Sequence, residues 1–167
     1  MFACGGSRVR AVPSPAVRYY EDFVPGETAT SQGSYVVTEA EIREVGERWD
    51  PQPFHVDPLA AARSAFGGLV ASSVHLFAIR VALGSGSTEE PTAAVSALGF
   101  DKLRLHAPVR PGDELRVRAT TIDRRVSSSR PGLGVVRSRS ELVNQRDEVV
   151  FSDESAFLVE RRTPTTG

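Results

Sequence analysis

Residues 66–87 read FGGLVASSVHLFAIRVALGSGS. From about Leu69 to Leu83 the apolar residues fall all round a helix, and Arg80 is the only formally charged side chain. A helix that is apolar on nearly every face is a buried helix. This one is too short for a membrane span, which takes about 20 apolar residues. The rest of the protein is therefore expected to surround it. Gly84 to Ser87 is expected to end it.

What could surround it lies downstream. The stretches TAAVSALGFDKLRLHAPV, DELRVRATTID, GVVRSRSELVN and VVFSDESAFLVE, within residues 92–160, each read as a strand. Leu115, Val117 and Ala119 alternate with polar neighbours, as do Phe157 and Val159, and such alternation marks a sheet with one face on a core and one in water. Turn signals separate the strands: RPGD at 110–113, SSRPGLG at 128–134 and NQRDE at 144–148. The arginines of this half read as the solvated face.

Upstream, EDFVPGE reads as a turn with Pro25 and Gly26 at its tip, and SQGSYVV as a short strand. Thr38 to Trp49 is predicted to be a helix. Thr38 and Glu41 make a capping box, and Ile42, Val45 and Trp49 share a face. Asp50 precedes a proline, so the helix stops there. Asp57 is expected to cap a further short helix opened by Pro58. One strand, two helices and four strands, with a helix apolar all round, give an α+β architecture: a curved antiparallel sheet around a central helix.

The chain has 167 residues, 40% apolar and 25% charged, with a formal net charge of −1. That balance gives no general attraction to nucleic acid or to anionic membrane. The single cysteine, Cys4, excludes an internal disulfide framework and a multi-cysteine metal site, and fits a cytoplasmic location. Residues 1–18 are expected to be an N-terminal tail without an export signal, 19–161 one domain, and 162–167 a C-terminal tail.

Between the two helices the chain reads WDPQPFHVD, Trp49 to Asp57. Prolines this dense forbid regular helix and interior strand, so a stiff loop is expected, with Pro51 and Pro53 fixing two φ angles. Asp50 and His55 on it are the leading candidates for chemistry, because a carboxylate beside an imidazole is an acid/base combination suited to neutral pH. The plain alternative is a capping aspartate and an interior histidine. Gly67 and Gly68 lead into the apolar helix, whose first-turn N–H groups at Ala71, Ser72 and Ser73 could stabilise negative charge on a ligand oxygen. A glycine-eased corner would look the same. His75 reads as a core histidine and His106 as a residue without a role. Three histidines this scattered make a poor metal site, and no phosphate-binding glycine motif is present.

DPQPFHVD at 50–57, FGGLVASSVH at 66–75, VRPGD at 109–113 and SSSRPGLG at 127–134 together resemble the MaoC-like dehydratases of the hotdog fold. The resemblance covers about Tyr19 to Arg161, and its specific part is Asp50, Gln52, Pro53 and His55. It implies hydration of trans-2-enoyl thioesters to (R)-3-hydroxyacyl thioesters, or the reverse dehydration, with no cofactor and no metal. Asp50 and His55 would be catalytic. Ser72 and Ser73 would offer backbone N–H groups to the thioester carbonyl. Gln52, Phe54, Gly67, Gly68 and His75 would lie along the substrate. The partners implied are an acyl-CoA or acyl-carrier substrate and a second copy of the chain. Gln52 replaces the asparagine usual in the family, and Ser73 stands where glycine is usual. A hotdog thioesterase and a non-catalytic acyl-thioester-binding protein are the competing readings.

Overall fold

The computed structural model describes residues 17–86 and 91–162. Cys4, Ser87 and the bulk of both expected tails lie outside them. Two residues assigned to the tails are tied down. The Arg18 N–H donates to the Pro91 carbonyl at 2.9 Å, and Ala93 N–H donates back to the Arg18 carbonyl. Arg162 pairs with Asp22 at 2.6 Å, and its N–H donates to Glu21.

Among the described residues six strands form one antiparallel sheet. They are β1 (Thr28–Thr30), β2 (Tyr35–Val36), β3 (Ala94–Leu105), β4 (Glu114–Val126), β5 (Leu133–Val143) and β6 (Val149–Glu160). Their order is β1-β4-β5-β6-β3, with β2 also pairing β4. The four long strands are those read from alternation and turns. Of the upstream stretch read as strand, residues 31–37, only Tyr35–Val36 is strand, and β1 lies wholly before it at Thr28–Thr30.

Among the described residues there are also a 3-10 turn at Tyr20–Asp22 and four α-helices: α1 (Glu39–Trp49), α2 (Pro53–Val56), α3 (Pro58–Arg63) and α4 (Ser73–Gly86). The proline-rich loop is not wholly irregular, because Pro53 starts a single helical turn at the first position, where no N–H is needed. α4 starts four residues later than periodicity suggests. Leu69 to Ser72 are buried but outside helix: Val70 N–H donates to the Phe54 carbonyl at 3.2 Å and Ala71 N–H to the Val109 carbonyl at 2.9 Å. A short apolar run looks the same in either conformation.

The core forms where α4 meets the sheet. Leu76, Ile79 and Leu83 pack with Leu115, Val117, Leu142 and Phe151. The expectation of a helix buried all round needs correcting, since Val74 is 46% and Val81 37% exposed on one side. β3 is exposed along its whole length and carries Val95, Leu98, Phe100, Leu103 and Leu105 at the sheet edge. Elsewhere the sheet surface is laced with ion pairs such as Arg118–Glu141 and Arg137–Asp123.

The one charge on α4 is satisfied beneath the helix. Arg80 donates through Nε to Asp153 Oδ1 at 2.7 Å, and through Nη2 to Asp153 Oδ2, Ser140 Oγ and Ser155 Oγ. Asp153 is 1% exposed. Burial pushes its carboxyl above the usual range against the opposing pull of Arg80. No helix among the described residues is long and apolar enough to cross a membrane.

Candidate active site

α1 delivers the loop that carries Asp50 and His55. Its start is fixed as the capping box requires: Glu41 N–H donates to Thr38 Oγ1 at 3.2 Å, and Thr38 N–H donates back to the Glu41 carboxylate. Tyr35 OH also donates to Glu41. That bond is the main reason the Tyr35 phenol is raised to about 12. At the other end Asp50 N–H donates to the Gly46 carbonyl at 2.9 Å while Asp50 itself leaves the helical conformation.

Gly46 holds the second member of the pair as well, and the sequence reading passed over it. A Cβ at this position would lie 3.0 Å from His55 Cβ and 3.0 Å from Val56 Cγ1. A side chain here would press α1 and α2 apart by a few tenths of an ångström, so Gly46 fits the close approach of the elements that carry Asp50 and His55. The available signal was a glycine inside an otherwise good helix, which costs about 1 kcal/mol relative to alanine and so points to a packing reason.

His55 is 6% exposed and its orientation is determined. Nδ1 lies 2.6 Å from the Val70 carbonyl, which can only accept, so Nδ1 carries the hydrogen. In the neutral ring Nε2 then presents a lone pair, 3.4 Å from Asp50 Oδ2. A charged ring would donate Nε2–H toward that carboxylate, whereas with a neutral ring the two acceptors can share the hydrogens of one water molecule. The oxygen of such a water keeps its lone pairs free for an electrophile. Phe54 packs edge-on against His55, with centroids 4.6 Å apart, and lies tilted against Phe66 at 5.1 Å.

The pair faces a cavity of about 350 Å³. Asp50, His55, Phe54 and Phe66 form one wall, and Ser73 and Leu76 on the first turn of α4 form another. Leu105 to Val109 close the third side, so His106, read as having no role, sits on the cavity rim with Nε2 2.8 Å from Ser152 Oγ.

Of the three N–H groups considered for an anion site, Ala71 is already committed to Val109. Ser72 is 1% exposed and does not line the cavity; its Oγ accepts from His75 N–H at 3.3 Å, as an N-cap does. Ser73, the first residue of α4, lines the cavity. Phe54 lines it too, but the remaining candidates do not. Gln52 is exposed, and its carbonyl accepts the His55 N–H. Gly67 takes a left-handed φ of +66° in the turn beyond α3. Gly68 lies against Arg110, whose guanidinium donates to the Phe66 carbonyl. His75 is buried near Glu41, and desolvation lowers its pKa. Asp57 caps α3, accepting from Leu59 and Ala60 N–H. Among the described residues no cluster of three histidine, cysteine, aspartate or glutamate side chains is arranged to hold a metal ion.

Comparison with known proteins gives a consistent picture. A crystal structure of a MaoC-like dehydratase from Rhodospirillum rubrum is 38% identical, with a TM-score of 0.81, over 87% of this chain and 99% of that one. The protein YdeM of Bacillus subtilis (strain 168) is 26% identical over 141 residues, covering 84% of this chain and 98% of its own. The R-hydratase PhaJ1 of Pseudomonas aeruginosa, at 21% identity and a TM-score of 0.69 over 86% of each chain, shares the fold. The antiparallel sheet with α4 against it is the hotdog arrangement, which a structure from Mycobacterium tuberculosis carries in doubled form. The sequence profile of the family described as MaoC like domain matches residues 22–142, most of the chain, and the protein belongs to that family.

Proposed function

We propose that this protein adds water across the double bond of a trans-2-enoyl thioester, giving the (R)-3-hydroxyacyl thioester, or runs the same step in reverse. The observation that carries this reading is the Asp50–His55 pair, with Nδ1 held by Val70 and both residues lining the cavity. Family membership and the hydratase named among its structural relatives support it.

In this mechanism a water held between Asp50 Oδ2 and His55 Nε2 attacks C3. The C2–C3 π electrons move toward the thioester carbonyl, whose oxygen takes the charge. The N–H of Ser73 at the start of α4 faces that oxygen, where the helix dipole also favours negative charge. The water's proton passes to the pair, and a proton returns from the pair to C2. The pair ends as it began, and the elements of water have been added with no change of oxidation state. The test is to follow the absorbance of conjugated enoyl-CoA substrates together with free thiol. Loss of conjugation without thiol release is expected. Thiol release matching the absorbance loss would instead assign a thioesterase, since cleaving the thioester also removes its conjugated band, and binding without turnover would assign an acyl-binding protein.

The acting unit in this proposal is a homodimer. Among the described residues β3 is an edge strand, paired only with β6, and carries five exposed large apolar residues; Val74 and Val81 of α4 are also exposed. Bare edges and apolar patches of this kind are ordinarily covered, and twofold pairing is the commonest way. Light scattering at micromolar concentration is expected to give twice the 18.0 kDa chain mass, and a monomer would refute the pairing.

A further inference from the structure

The side of the cavity formed by Leu105 to Val109 has one residue whose side chain can hydrogen-bond, His106. The mechanism above leaves it unused. His106 stands just past the end of β3, which runs against β6 with Leu105 opposite Phe151 and Arg104 opposite Ser152. Both its backbone and its ring are tied to β6. The His106 N–H donates to the Val150 carbonyl at 2.9 Å, and Nε2 lies 2.8 Å from Ser152 Oγ. The residue is exposed at the cavity rim, yet its ring has a fixed place there.

The serine decides which ring nitrogen carries the hydrogen. Ser152 is 4% exposed, and among the described residues His106 Nε2 is the hydrogen-bond partner of its hydroxyl. A buried hydroxyl needs an acceptor for its hydrogen, and leaving that hydrogen unpaired is costly. Ser152 therefore donates and Nε2 accepts. The neutral ring then carries its own hydrogen on Nδ1, and a charged ring has one there as well. Nδ1–H is thus a donor in both forms, and no described residue accepts from it. His55 is the reverse case: Val70 takes its Nδ1–H, which leaves Nε2 as the acceptor near Asp50.

A donor at this place meets a shortage. Ala71 N–H is spent on the Val109 carbonyl and Ser72 does not line the cavity, so Ser73 offers the one backbone donor of the three considered. A carbonyl oxygen has two lone pairs and can accept from two donors. We infer that His106 is a further substrate-binding residue, whose Nδ1–H donates to a carbonyl oxygen of the bound thioester, and that Ser152 is the positioning residue that fixes its tautomer. The inference rests on the enoyl-thioester reading above. The accepting oxygen belongs either to the thioester itself or to an amide of the arm that coenzyme A and acyl carriers share.

Substitutions at 106 separate this role from a structural one by stereochemistry. The amide nitrogen of asparagine falls where histidine has Nδ1, and that of glutamine where it has Nε2. His106→Leu and His106→Gln are expected to lower kcat/KM for trans-2-enoyl-CoA hydration by about tenfold, as for one lost hydrogen bond, and His106→Asn to retain most of it. A fall in kcat assigns the thioester oxygen, whose charge grows during the reaction. A rise in KM alone assigns an amide of the arm. Unchanged kinetics in His106→Leu, or His106→Asn no better than His106→Gln, would overturn the contact. Imidazole nitrogen NMR at alkaline pH, with His106 assigned by its loss in His106→Leu, reads the tautomer independently. The hydrogen is expected on Nδ1 in the wild type and partly on Nε2 in Ser152→Ala; a wild-type hydrogen on Nε2 would overturn the inference. If no enoyl-CoA is hydrated, calorimetry with a saturated acyl-CoA carries the test. Weaker binding in His106→Leu than in His106→Asn would keep the contact while the hydratase reading fails. Equal affinities, or no binding by the wild type, would reject the contact.

Discussion

Asp50→Asn is expected to lower enoyl-thioester hydration by about 10²- to 10⁴-fold, the usual contribution of a positioned acid/base group, while melting stays near that of the wild type. The amide keeps the shape of the side chain, and the backbone N–H that caps α1 is untouched. What it loses is the second acceptor opposite His55 Nε2, 3.4 Å away. An amide that turns its NH₂ toward the ring would bond Nε2 directly and leave no place for the shared water. His55→Gln removes the other acceptor and should cost a similar factor. In the proposed mechanism the two hold one water, so their losses should not multiply: the double variant should be little worse than the poorer single one. Hydration and thermal melting measured on the same four preparations decide the matter. A well-folded Asp50→Asn variant with full activity would end this mechanism.

The second large effect concerns stability. Asp153→Ala should destabilise the protein by about 3–5 kcal/mol, because it leaves the Arg80 guanidinium beneath α4 without its counter-charge. For a chain of this size that corresponds to roughly 10 °C in Tm. Replacing both partners with apolar side chains, Arg80→Met with Asp153→Leu, should be far milder and even neutral, since a buried ion pair is costly chiefly when broken. Urea denaturation at one fixed protein concentration reads both, the fixed concentration being needed if chains associate. A loss below about 1 kcal/mol in Asp153→Ala would show that Arg80 finds another partner or water.

Asp50 and His55 stand out in the sequence because the prolines between them make that loop unusual. Their relation in space is not legible there. It depends on three contacts: His55 Nδ1 on the Val70 carbonyl, Asp50 N–H on the Gly46 carbonyl, and the missing side chain of Gly46. His106 reaches the cavity rim through the strand register of β3 against β6, which brings it to Ser152. No local pattern announces such a position. Ser73 was legible as a helix-start residue, but its difference from Ser72 and Ala71 follows from which N–H groups the neighbouring chain consumes.

The sequence by itself determined what is set within a few residues. The capping box at Thr38 and Glu41 starts α1, Asp57 and Pro58 start α3, and alternation with turn residues marks the four long strands. In each case the partners are neighbours in the chain, so local geometry is enough. Only the tertiary structure decided that Leu69 to Ser72 are not helical, that Arg80 meets Asp153, and that α4 keeps one face bare. The physical reason is the same throughout. Apolar periodicity records how much water a segment must shed, whereas the choice among conformations and partners that shed it depends on hydrogen bonds and packing with residues far along the chain.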